Sequence, residues 1–177
     1  MDWITTGAVG EPGERTFYLQ ASVDGQVLTL LLEKEQVDAL CRHVQALLIS
    51  IGEEQPGKAL PAPVAPDLQE PLEPRFRVGQ MGLRFDPDRD LVLLQCRELS
   101  EDDEEEADDD EDDVDDLDDN EPLEEGEGVS LWAAPAQMRS LAVAGAAAVA
   151  AGRPRCKLCG QPLTPEGHFC AAQNGHR

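Results

Sequence analysis

At 177 residues, with a formal charge of −23 and only 4% aromatic residues, the chain is sized for one domain with appendages and lacks the basic, aromatic footprint of a dedicated nucleic-acid binder. Its longest weakly polar run, residues 141–152, is Ala-rich and well short of the ~20 residues of a membrane span, and the polar start after Met1-Asp2-Trp3 has no secretory pattern. Five cysteines, an odd number with three of them in one cluster, argue against a disulfide framework and for a reduced, cytoplasmic protein.

The charge is concentrated. Residues 101–127 hold 20 of the 37 acidic residues, and the 17 acids elsewhere face 14 bases, which leaves −3 for the rest of the chain. From Arg139 onward, Arg139, Arg153, Arg155, Lys157 and Arg177 oppose Glu166 alone, so the end is locally about +4.

In chain order, residues 1–14 read as a flexible N-terminus ahead of an α+β domain spanning 15–152. Phe17, Leu19 and Ala21 alternate with Tyr18, Gln20 and Ser22, the period of a strand. Asp24-Gly25 marks a two-residue hairpin turn, because glycine tolerates the positive φ it needs. Val27 to Leu32 is apolar on both faces, the pattern of an interior strand. Val37, Leu40, Cys41, Val44, Leu47, Leu48 and Ile51 then fall on one stripe of a helix, with Glu33 and Glu35 at its positive end and Gly52 as its stop. Cys41 reads as a buried small hydrophobe on that stripe and His43, off it, as a solvated surface residue.

Residues 53–74 contain six prolines and form an extended connector over the domain. Arg75–Phe85 and Leu91–Glu98 read as two strands around the DPDRD turn, with Gly79 and Gly82 inviting a bulge and Cys96 in the core. The acidic run at 101–127 has few apolar residues to bury and self-repelling charge, so disorder is expected. Its simplest role is solubility and spacing; a sharper reading has it fold back on the basic end. Val129–Trp132 reads as a short strand. Pro135 suits the first turn of a helix, and Met138, Leu141, Ala142, Gly145, Ala148 and Val149 give it a face of mostly small residues. The class is α+β: an antiparallel sheet, two packed helices and a zinc-knuckle-like module at 153–177.

That module carries the chemistry. Cys156-Lys157-Leu158-Cys159-Gly160 places two thiolates on a tight turn, and His168-Phe169-Cys170 adds a pair at i and i+2 that points one way on extended backbone. Cys156, Cys159, His168 and Cys170 form a Cys3His set, suited to a closed, structural zinc site; His176 is the alternative nitrogen ligand. With only Leu158, Leu163 and Phe169 as large apolar residues, the segment needs a metal ion to be ordered. A redox C-x2-C reading lacks the strand-to-helix context that would set a cysteine at a helix N-terminus.

The stretches RTFYLQASVDGQVLTLLLEKEQV, APAQMRSLAVAGAAAVAAGRPRCKLCGQPLTPEGH and HFCAAQNGHR together resemble the domain-of-unknown-function 3090 family of actinobacterial proteins. The likeness spans most of residues 15–177, and its most specific element is the C-x2-C-G-x-P-x2-P-x-G-H-x-C-x3-N-G run. Where family members often carry Pro-Arg after the last cysteine, Ala171-Ala172 stands here. The resemblance implies the domain layout and the metal motif, and no reaction.

Three functions are weighed. The leading reading is a non-enzymatic zinc-binding adaptor, a protein-interaction module whose partner is an unknown protein and not a membrane. The second is single-stranded nucleic-acid binding through the knuckle, disfavoured because only Phe169 lies near the basic residues. The third is a metal-dependent enzyme. It finds no glycine-rich phosphate loop, G-x-S-x-G elbow or H-E-x-x-H in the sequence, so no catalytic residue is named.

Overall fold

The computed structural model describes residues 1–53, 64–100 and 128–152, together with 156, 158, 159, 163 and 170. The acidic run at 101–127, and with it the expectation of disorder, lies outside the described residues. So do His168 and His176 and the Pro-rich stretch 54–63.

The fold is α+β. Strands β1 (Trp3–Val9), β2 (Thr16–Val23) and β3 (Gln26–Leu32) form one antiparallel sheet in that order. Strands β4 (Val78–Asp86), β5 (Leu91–Glu98) and β6 (Gly128–Ala133) form a second. The expected sheet is thus divided in two. The sheets meet where residues 75–77 run beside β3. There the amide of Arg75 donates to Thr29 O at 2.8 Å, that of Leu31 donates to Phe76 O at 3.0 Å, and Leu31 and Arg77 form a parallel bridge.

Two expectations are corrected. The flexible N-terminus is instead largely strand: β1 pairs with β2 from Trp3↔Ser22 to Val9↔Thr16 and buries Ile4, Thr5 and Thr6. The Thr6 hydroxyl donates to Tyr18 O at 2.8 Å, which lets a polar residue sit at a core position. β3 is not interior to its sheet, because β2 is the middle strand. Val27 is 43% exposed near the hairpin tip, so the two-faced apolar pattern is only partly covered.

The hairpin turn is as read from Asp-Gly. Asp24 and Gly25 both take positive φ, 52° and 75°, the geometry of a two-residue turn whose twist matches its strands. The Asp2 carboxylate accepts from Gly25 N and Ser22 Oγ, both at 2.9 Å, and these bonds hold its pKa below the usual carboxylate value. In the second sheet the register shifts between Val78 and Gln80, the bulge anticipated at Gly79.

Helix α1 (Lys34–Ser50) begins at Glu33, whose amide donates to Gln36 Oε1 at 2.9 Å. It buries Val37, Leu40, Cys41, Val44 and Leu48. His43, expected on the surface, is half-buried with Nδ1 2.8 Å from Ala39 O. Helix α2 (Pro135–Ala150) buries Met138, Leu141, Ala142 and Gly145. It packs on α1 and β1. Gly145 sets the approach: a Cβ there would stand 2.5 Å from Cys41 Sγ and 2.7 Å from Thr6 Cγ2.

Polar contacts tie the helix ends to the rest. Arg139, 7% exposed, donates to Glu53 O at 2.9 Å beyond α1 and reaches the Glu53 carboxylate at 3.4 Å. Arg15 donates to Ala148 O at 2.6 Å, placing a cation at the negative end of α2, whose last turn has no basic residue. The described part of the connector has no regular structure from 64 to 74 apart from a bend, and lies over the first sheet. Gln20, wholly buried, donates through Nε2 to Gln69 O and accepts through Oε1 from Gln69 N, each at 2.8 Å.

Candidate metal centre

The two buried cysteines of the core show what an unreactive thiol is in this chain. Burial in apolar surroundings pushes Cys41 and Cys96 up to about 12, with the nearby Asp38 carboxylate adding to the effect at Cys41. Both are free thiols in the core, as their positions on a helix stripe and a strand face predicted.

The chain beyond α2 assembles a different environment. Cys156, Cys159 and Cys170 bring their sulfurs within 4.8 Å of one another. Cys156 and Cys159 are half-buried and Cys170 is 6% exposed. Residues 158 and 159 form a turn, and it carries backbone amides toward the first sulfur, with Leu158 N 3.5 Å from Cys156 Sγ. Hydrogen bonds from the amides of Cys159 and Leu158, with smaller contributions from the Cys159 and Cys170 thiols, lower the Cys156 pKa to about 7 against the opposing cost of desolvation. The turn thus favours the thiolate, the form that binds metal.

The spacing between sulfurs decides what they can do. Cys156 Sγ and Cys170 Sγ stand 3.9 Å apart. A disulfide holds its sulfurs at about 2.0 Å. Two thiolates bound tetrahedrally to one ion, each about 2.3 Å from it, are separated by roughly 3.8 Å. The cluster therefore has the dimensions of a shared-ion site, and three close cysteines can hold a metal ion. Three of the four residues expected as ligands are together. His168 and its alternative His176 lie outside the described residues.

Residues 1–170 match the family described as protein of unknown function, DUF3090. The chain belongs to that family. Membership in DUF3090 bears out the family resemblance read from the sequence. The matched span takes in Cys156, Cys159, His168 and Cys170 and ends short of His176. Nothing among curated proteins or solved structures matches this DUF3090 chain. Among its described residues, no helix is long and apolar enough to cross a membrane.

Two features of the centre were not signalled by spacing. One is the burial of Cys170. The other is the pair of amide donors aimed at Cys156, although a glycine after the second cysteine is a sequence sign of a chain that turns back at that point.

Proposed function

We propose that this protein is a non-enzymatic, zinc-binding interaction module of the cytoplasm. Cys156, Cys159 and Cys170 hold one zinc ion, with His168 as the fourth ligand. The observation that carries the reading is the convergence of three reduced thiols at a separation that suits a shared ion and is too long for an S–S bond already formed. Zinc is favoured over harder ions because thiolate and imidazole are its preferred donors. His168 is favoured over His176 because the family match includes the first and stops before the second.

Four protein ligands leave no position for a substrate or water, so the ion would act as a fold-holding crosslink. The segment it orders would then be a recognition surface for a protein partner. Leu158, 65% exposed at the turn beside the sulfurs, is the apolar residue such a surface would present.

Elemental analysis of protein purified without chelators tests the metal, with one equivalent of zinc per chain expected. A Cys156→Ser, Cys159→Ser variant should bring it close to zero. His168→Ala should weaken binding and His176→Ala should not. Capture of partners from the native host by the wild type but not by the double variant would locate recognition in this segment. Equal capture by both would move the interaction elsewhere.

A further inference from the structure

The three clustered thiols differ in access as well as position. Cys156 is half-buried, in a turn region where Leu158 is 65% exposed, and is the more open member of its pair with the buried Cys170. Cys170 is 6% exposed, yet its sulfur lies 3.9 Å from that of Cys156. An accessible sulfur next to a sheltered one is the pairing a two-step thiol oxidation requires: the first meets the oxidant, and the second stays reduced until it can close the bond.

We propose that the cluster is a peroxide-responsive switch, in which Cys156 and Cys170 form a disulfide and so withdraw two ligands from the metal. The proposal rests on the metal-binding reading above. In the first step the Cys156 sulfur attacks one oxygen of hydrogen peroxide. The O–O bond breaks, hydroxide leaves and takes up a proton as water, and Cys156 becomes a sulfenic acid. In the second step the Cys170 sulfur attacks the Cys156 sulfur. The S–O bond breaks, the S–S bond forms, and the departing hydroxide leaves as water with the proton from Cys170. Two thiols have lost two electrons and two protons, and one peroxide has become two waters. Cys159 is then the one sulfur of the three still able to bind the ion. The link bridges 14 positions of sequence, and a thiol reductant reverses it.

The chain carries its own controls. Cys41 and Cys96, at 3% and 1% exposure in the apolar core, are closed to peroxide. Full-length protein, reduced and loaded with zinc or left metal-free, is treated with stoichiometric hydrogen peroxide, and its cysteines are mapped by mass spectrometry while a chelating dye follows zinc. The expected result is a Cys156–Cys170 disulfide in both forms, zinc released in step with it, and Cys41 and Cys96 recovered as thiols. Dithiothreitol with added zinc should restore the starting state. Cys170→Ser should stall Cys156 as a sulfenic acid that dimedone captures. A Cys156–Cys159 link, a sulfinic acid at Cys156, zinc loss without a disulfide, or no dimedone adduct in Cys170→Ser would overturn the proposal. Should the reduced chain take up no zinc, the metal reading fails, and the mapping of the metal-free form still decides the sulfur pairing.

Discussion

The core and the C-terminal segment use the same residue type in opposite ways. Cys41 and Cys96 are packed among leucines and valines, where burial keeps the thiol protonated and inert. Cys156, Cys159 and Cys170 face one another, and backbone amides draw Cys156 toward the thiolate. The core is held by apolar area removed from water, which needs no ion. The end segment has few large side chains to bury and gathers sulfur instead. The two regions should therefore fail under different conditions.

The largest effect should come from withdrawing the metal. A structural zinc supplies roughly 10–16 kcal/mol to a small module at neutral pH. Chelation, or the Cys156→Ser, Cys159→Ser variant, should expose the chain after α2 to protease and to hydrogen exchange. Strands β1 to β6 and helices α1 and α2 should stay protected. Simultaneous loss of protection in the sheets would show that the regions are one cooperative unit. The converse break is Leu94→Ala. Leu94 lies on the middle strand of the second sheet, opposite Leu83 and Leu131, and is wholly buried. Truncation there should cost about 2–5 kcal/mol in denaturant unfolding and leave zinc stoichiometry unchanged.

What could be read in advance follows the range of the interaction responsible. The β2–β3 hairpin was legible because Asp24-Gly25 fixes its turn locally, and α1 because its stripe repeats over about four turns. The cysteine cluster was legible because metal ligation imposes spacing on a short segment. β1 was not, since two of its buried positions are Thr5 and Thr6, whose polarity reads as surface until Tyr18 O is seen to accept from Thr6. Division into two sheets was hidden as well. It depends on where residues 75–77 meet β3, a contact between segments more than 40 residues apart.

The contact between the helices offers a finer test of the core. A Cβ at 145 would stand 2.5 Å from Cys41 Sγ, 2.7 Å from Thr6 Cγ2 and 3.2 Å from Val37 Cγ1. Gly145→Ala would ordinarily raise helix propensity. Here the overlap should dominate and destabilise by about 1–3 kcal/mol. Cys41→Ala removes the nearest of these atoms, so the double variant should be less unstable than the two single losses summed. Simple additivity would mean that Thr6 and Val37, not the sulfur, set the limit.

The smallest effect separates the two kinds of thiol by pH. Cys41 and Cys96 have folded-state values raised to about 12 from an ordinary 9.0. Below pH 9 both states hold the proton and stability does not depend on these groups. As pH rises between 9 and 12 the unfolded chain releases protons that the folded chain keeps. Stability therefore falls across that window, by on the order of 1 kcal/mol per thiol one unit above 9. Replacing both residues with alanine lowers stability at pH 8 but should flatten the dependence between pH 8 and 10 relative to wild type. Tyrosine and lysine titrate in the same range, so the comparison is made between slopes, where their contributions cancel. An unchanged slope would mean that water reaches the core thiols, and the contrast between inert and reactive cysteines would then rest on sulfur geometry alone.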